Sequence, residues 1–254
     1  MDFDTVFLRR RSIRAFEDIP VPRETKARIL EATLRAPTAG ALMLYTVLEI
    51  EDPALKVRLA ETCDHQGFIA KAPWVLVFLA DYARLYGYFG HQGLGELCER
   101  TGTPALAPRE ADLLLACCDA FAAAQTLVCA AEALGLGSCY IGDVMENWEI
   151  HRELLNLPRY TFPITMLVLG HPTEQQRKRQ QVPRLDADLV VHRDRYRPAS
   201  PADYDRMYQG EGYGKSVPGG EARTPGQALY LRKFAAPYSE EMRRSVATML
   251  EDWR

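Results

Sequence analysis

Three guanidinium groups and a hydroxyl fall within five residues near the start of the chain, Arg10-Arg11-Ser12-Ile13-Arg14. Guanidinium forks match phosphate oxygens bidentately, and a serine hydroxyl adds a short hydrogen bond. In an extended segment Arg10, Ser12 and Arg14 share one face, because strand side chains alternate with period two. That face would make an anion cradle; the same residues would also make a plain solvated basic segment. Two runs of small residues could let a flat ligand approach the backbone: Pro37-Thr38-Ala39-Gly40-Ala41, and Gly135 through Tyr140, Ile141, Gly142 and Asp143. Each would serve equally as a tight connection. Arg184, after Pro183, offers either a second anion contact or a solvated cation.

The familiar catalytic strings are absent. There is no G-x-x-x-x-G-K-[ST], no H-E-x-x-H and no G-x-S-x-G, and Gly135-x-Gly137 lacks the third glycine of a dinucleotide fingerprint. The five histidines are scattered. Six cysteines without a C-x-x-C pair argue for reduced thiols rather than a metal centre or disulfides. A net charge of −3 leaves no broad basic field for nucleic acid. No continuous apolar run reaches the ~20 residues of a membrane span, and the start MDFDTVFLRRRS lacks the apolar segment of a signal peptide. A cytoplasmic protein is expected.

The elements that must position these residues can be laid out along the chain. Residues 22–36 read as a helix with Pro22 at its first position and a stripe of Ala27, Leu30 and Leu34. Thr46–Ile50 is a strand, and Asp52-Pro53 starts a helix to Cys63. Trp74–Ala80 and Phe162–Gly170 are buried strands. Residues 81–108, rich in Tyr, Phe and Gly, read as an insertion with one or two short helices, a lid or a packed excursion. Residues 108–134 form a helix apolar on every side, hence buried in a core or interface. A short helix follows near Glu149–Leu155, Leu189–Val191 is a short edge strand, and 197–227 is a linker or arm. Ser239 caps a final helix with a stripe of Met242, Val246, Met249, Leu250 and Trp253.

In this order the pieces RRRSIRAF (9–16), RAPTAG (35–40), IAKAPWVLVF (69–78), AAEALGLGSCYIGD (130–143), FPITMLVLGHP (162–172) and VPR (182–184) resemble the FMN-dependent nitroreductase family. The resemblance implies an α+β fold with a central mixed β-sheet flanked by helices, in a homodimer with an extended C-terminal arm. It divides the chain into an FMN-binding domain, 1–196, and an extension, 197–254, that wraps the partner. It places Arg10, Arg11, Ser12, Arg14 and Arg184 on the phosphate, ribityl and pyrimidine contacts of FMN. Pro37, Thr38 and Ala39 reach the flavin from the partner subunit. Tyr140, Ile141, Gly142 and Asp143 line the ring, with the Gly142 N–H near N5, and Gln66 or His65 gives a polar contact. It implies hydride transfer from NAD(P)H to nitroaromatic, quinone or related small acceptors by a ping-pong mechanism. The alternatives are a flavin enzyme of different chemistry, such as reductive dehalogenation or flavin fragmentation, and a non-catalytic flavin-binding protein. One departure stands out: where the family's loop commonly carries two amides, this chain has Ala41 and Met43.

Overall fold

The computed structural model describes residues 3–208, 220 and 222–254. Two apolar runs build the centre. Trp74–Asp81 (β2) and Thr161–Gly170 (β4) are buried along their whole length and pair antiparallel. Tyr45–Ile50 (β1) flanks β2 and Gly137–Ile141 (β3) flanks β4, both antiparallel, so the sheet order is β1-β2-β4-β3. Among the described residues the expected mixed character is confined to one isolated parallel bridge, Ser12 to Ser138.

Helix α1 (Arg23–Thr33) starts one residue later than expected, with Pro22 as its N-cap. Its buried residues are Ile29 and Thr33, whereas Leu34 is 58% exposed and Ala27 is also on the open side. Of the expected stripe Leu30 does pack against the core, but Thr33, which passes for polar in the sequence, takes the buried place that Leu34 was expected to fill. The Thr33 hydroxyl donates to the Ile29 carbonyl at 2.8 Å, which satisfies it inside the core. Helix α2 (Pro53–Thr62) begins as its Asp-Pro pair dictates, the Asp52 carboxylate accepting from Ala54 N–H. The 81–108 insertion contains α3 (Ala83–His91) and α4 (Leu94–Thr101).

Helix α5 (Glu110–Ala133) is long and apolar enough by composition to cross a bilayer, a length that the count of continuous apolar residues missed. Its Leu113, Ala116, Ala120, Ala123, Ala124, Leu127, Val128 and Ala131 line the core instead. Small alanines let it lie close over the sheet. The opposite face, with Leu114, Leu115 and Phe121, remains open. Gly135, in the left-handed region at φ 80°, ends the helix and turns the chain into β3. The short helices α6 (Trp148–Leu154) and α7 (Glu174–Lys178) follow β3 and β4.

The chain forms two compact units, Met1–Arg179 with Glu241–Arg254, and Gln180–Glu240. The division therefore falls at Arg179 and returns at Glu241, rather than at 196/197. Within the second unit the expected strand at Leu189–Val191 is absent. Ala187–Leu189 is a 3-10 turn closed by Leu189 N–H to Asp186 O and Val191 N–H to Ala187 O, which leaves Val190 and Val191 exposed. The 197–227 stretch is not structureless: Ser200 and Asp203 form a reciprocal capping box that starts α8 (Pro201–Arg206), and α9 (Pro225–Leu229) begins near its end. Residues 209–219 and 221 of that stretch lie outside the described residues.

The final helix, α10 (Pro237–Trp253), starts before Ser239, so Ser239 is in its first turn and its hydroxyl donates to the Lys233 carbonyl rather than capping. From Glu241 onward α10 belongs to the first unit. Ser245 accepts from Trp148 N–H at 2.9 Å, and Trp253 donates its indole N–H to Arg109 O at 3.1 Å. Met249 and Trp253 are buried there, so part of the apolar stripe is spent on the chain's own core.

Candidate active site

Strand β3 organises the site. The segment before α1 lies along it: Ser12 bridges Ser138, and Ile13 N–H donates to Ser138 O at 2.8 Å. Ile13 points inward and is 3% exposed, so alternation places Ser12 and Arg14 on the other face. Two glycines seat this segment. A Cβ on Gly137 would fall 2.5 Å from Ile13 Cγ1, and one on Gly170 would fall 2.9 Å from Phe16 Cδ1. The two glycines are register partners across β3 and β4.

Around Ser12 the structure gathers positive charge. Burial pushes the Cys139 thiol up, while Arg14, a hydrogen bond with Ser12, Arg10 and Arg179 pull the other way. Burial likewise raises the Tyr140 phenol against the pull of Arg10. The half-buried Glu132 carboxyl is pushed up to about 7 by burial, opposed by Arg10, Ser138 and Arg11. Arg11 itself is committed: its guanidinium donates to Arg177 O at 2.6 Å and also to Arg179 O. It braces the turn after β4. Arg179, which sequence reasoning passed over, donates to Ser12 O at 2.6 Å. It was hidden in the basic run EQQRKRQQVPR, where composition alone cannot rank one cation above another. Arg184 belongs to the second unit, where it donates to Val182 O at 3.0 Å and Pro183 O at 3.4 Å.

The other end of β3 carries Tyr140, Ile141, Gly142 and Asp143. Gly142 is exposed, and Asp143 opens a 3-10 turn through Met145. Gln66 docks here, donating from Nε2 to Asp143 Oδ2 at 2.6 Å and to Cys63 O at 3.1 Å; His65 is exposed in the left-handed region beside it. The Tyr140 ring stacks on Phe121 of α5 with centroids 6.5 Å apart, and its hydroxyl meets Gln125 at 3.2 Å. From Ser138 to Gly142 an extended strand spans about 13 Å. A cationic cradle therefore stands at one end of β3, and exposed backbone with amide and carboxylate partners stands at the other. The donor set fits a ligand with a phosphate at one end and a flat polar-edged ring at the other.

The Pro37-Thr38-Ala39 loop is elsewhere. Asp119 of α5, 4% exposed, accepts from Ala39 N–H at 2.9 Å, from Leu44 N–H at 3.1 Å and from the Thr38 hydroxyl. This pin holds a loop in which Gly40, Ala41 and Met43 all take left-handed backbone, at φ 55°, 59° and 51°. Asp119 was missed as well, although a carboxylate inside an otherwise apolar helix face is a readable signal. At about 100° per residue, Asp119 and Phe121 point to opposite sides of α5. One subunit therefore does not bring the Thr38 loop and the Tyr140 segment together on α5.

The sequence profile of the Nitroreductase family matches residues 8–171, and the chain belongs to that family. It is 33% identical over 239 residues to the FMN reductase (NAD(P)H) of Bacillus subtilis, covering 91% of this chain and 92% of that one. It is 35% identical over 188 residues to the oxygen-insensitive NADPH nitroreductase of Salmonella typhimurium, covering 74% and 72%. Among solved structures it is similar to the NADPH:FMN oxidoreductase of Vibrio harveyi complexed with NAD+. That match has a TM-score of 0.74 and 25% identity, and it covers 96% of each chain.

Proposed function

We propose that this chain is an FMN-dependent oxidoreductase that takes hydride from NAD(P)H and passes it to nitroaromatic, quinone or related acceptors by a ping-pong mechanism. The observation that carries this reading is the two-ended site along β3, with cations and Ser12 at one end and Tyr140–Asp143 at the other. The relatives' names, FMN reductase and NADPH nitroreductase, support the cofactor and the hydride donor.

Arg10, Arg14, Arg179 and Ser12 would hold the FMN phosphate and polar chain through charge-assisted hydrogen bonds. A guanidinium from this cluster at the pyrimidine edge, for which Arg14 is the candidate, stabilises negative charge there. The N–H of exposed Gly142 would donate to the ring, and Gln66, which donates to Asp143, would meet its edge. Bound FMN supplies reversible hydride acceptance, which is why no nucleophile or metal is required of the protein. Tyr140, stacked on Phe121, gives the ring an apolar wall that keeps water away.

The active unit is a homodimer in this reading. The partner's copy of the Thr38 loop would complete the pocket, since the two pieces sit on opposite sides of α5. The Gln180–Glu240 unit, which includes Arg184, is the candidate for the arm that wraps the partner. All six cysteines are free thiols, which suits a reducing cytoplasmic compartment.

The test is an anaerobic visible spectrum of the FMN-loaded protein before and after NADH and NADPH, followed by steady-state kinetics with a quinone and a nitroaromatic. Bleaching by the nicotinamide and parallel double-reciprocal lines are expected. Arg14→Ala should weaken FMN binding about tenfold or more, since a hydrogen bond to a charged group contributes roughly 1.5–3 kcal/mol. A protein that binds FMN but is not bleached by either nicotinamide would be a flavin-binding protein without this activity.

A further inference from the structure

Asp119 holds only one side of the Thr38 loop. It accepts from the N–H groups of Ala39 and Leu44 and from the Thr38 hydroxyl. The carbonyl side is held by a cation from a different helix. Arg84, in the first turn of α3, donates from Nη2 to Met43 O and to Tyr45 O, the latter at 3.0 Å. Between them Leu44 O accepts from Asp81 N–H at 3.0 Å. An anion thus takes donors of the loop and a cation takes its acceptors, and both sets of bonds are charge-assisted. The post that carries Arg84 is fixed in turn. Arg84 N–H donates to Asp81 Oδ1 at 3.1 Å, and the other Asp81 oxygen accepts from the Thr46 hydroxyl at 2.6 Å. The N–H groups of Tyr82 and Ala83 both donate to Tyr160 O, at 2.9 and 3.3 Å.

The backbone between these anchors would not hold its shape alone. Ala41 and Met43 take left-handed φ, which a residue with a Cβ disfavours, and Gly40 lies in the same region. Such a conformation persists only where the surroundings over-determine it. Met43 shows how they do so: its N–H donates to the Thr38 hydroxyl at 2.8 Å and its carbonyl accepts from Arg84, so both its backbone polar groups are committed. The tip of the loop, Gly40 to Leu42, is exposed. Two helices therefore fix a strained turn from its two polar sides and leave its tip presented to the outside.

We infer that Arg84 is a positioning residue for the flavin site of the other copy: it fixes the Thr38 loop of its own subunit in the shape that enters the partner's pocket. This rests on the dimeric, FMN-dependent reading above. The Arg84 guanidinium is committed to loop carbonyls, so it acts through the loop and not on the ligand. Its effect must then cross the dimer. The cradle at Arg10, Ser12 and Arg14 of one copy depends on Arg84 of the other, and its own Arg84 serves the opposite pocket.

The experiment uses dimers of the full chain, with FMN affinity and stoichiometry read from quenching of flavin fluorescence. Arg84→Met keeps the aliphatic stem and removes the donors; its homodimer should bind FMN roughly tenfold more weakly. Arg84→Lys, with one charged donor, should recover part of that loss. Mixed dimers, made by co-expressing two differently tagged copies, then locate the effect. An Arg14→Ala copy paired with an Arg84→Met copy should regain one site of wild-type affinity, because the intact cradle of the second meets the intact loop of the first. Both substitutions in one copy, against a wild-type copy, should leave no such site. The reverse pattern would mean that Arg84 serves its own subunit's pocket and overturns the inference. So does an Arg84→Met homodimer with wild-type FMN affinity. If Arg84→Met does not fold, Arg84→Lys enters the same pairings with a smaller shift. A wild type that sediments as a monomer would sink the dimeric reading and the role of Arg84 together. A wild-type dimer that shows the expected pairing pattern but is bleached by neither NADH nor NADPH would lose the oxidoreductase reading alone.

Discussion

Asp119 shows how one side chain can decide the shape of a distant loop. It is buried on α5, yet three donors from residues 38–44 converge on its two oxygens. An orphaned buried polar group costs about 1–3 kcal/mol. Asp119→Ala strands the Ala39 and Leu44 amides and the Thr38 hydroxyl, so unfolding in urea should show a loss of about 3 kcal/mol or more. FMN retention should fall alongside it if the loop serves the partner's pocket. An unchanged urea midpoint would mean that the loop is held by its backbone alone. The loop's backbone gives no reason for the missing amides. Ala41 and Met43 sit in left-handed backbone, which asparagine tolerates better than alanine does. At this scale the sequence gathered Arg10, Ser12 and Arg14 into one short segment, and the structure lays that segment along β3. The sequence was unreadable where geometry selects among equals, as with Arg179 within a basic run and Arg11, whose donors go to backbone carbonyls.

The elements divide by how much their pattern is forced. Strands β2 and β4 were legible because an apolar run buried on both faces admits few other readings, and α2 because Asp-Pro is a strong start signal. Three apolar residues at 189–191 carry no period, and local i to i+3 bonds took them instead. Ser200 and Asp203 carried a capping box that a Pro-rich context masked. The 81–108 insertion was expected to hold short helices and does. Its aromatics, however, divide in role. Tyr86 packs edge-on against Tyr160 with centroids 5.7 Å apart, whereas Tyr88 is 57% exposed and Phe89 39%. Changing Tyr88 and Phe89 together to alanine should therefore alter KM across a panel of acceptors while leaving the melting temperature nearly unchanged. Tyr86→Ala should lower the melting temperature. Unaltered KM values for every acceptor would make the insertion a packing excursion.

For the whole molecule, α5 is decisive. Its open face carries Leu114 at 67% exposure and Phe121 at 46%, and the turn Asp4–Leu8 beside α5 leaves Phe7 and Leu8 exposed too. Contiguous apolar surface of this kind marks an association site. In sedimentation the wild type should run as a dimer. Leu114→Asp should shift it to monomer and release FMN in the same step, because in the proposed dimer the pocket needs both copies. A Leu114→Asp protein that stays dimeric and loaded would place the interface elsewhere.

The bridge between Ser12 and Ser138 also has a history in time. On a ribosome the segment around Ser12 emerges well before β3 and then waits for it before it has anything to lie on. Contacts so remote in sequence are late and slow to close. Ile13 and Phe16 enter only where Gly137 and Gly170 leave room, so this closure tolerates no side chain at either glycine. The proposed cofactor cradle is thus expected to be among the later parts to assemble.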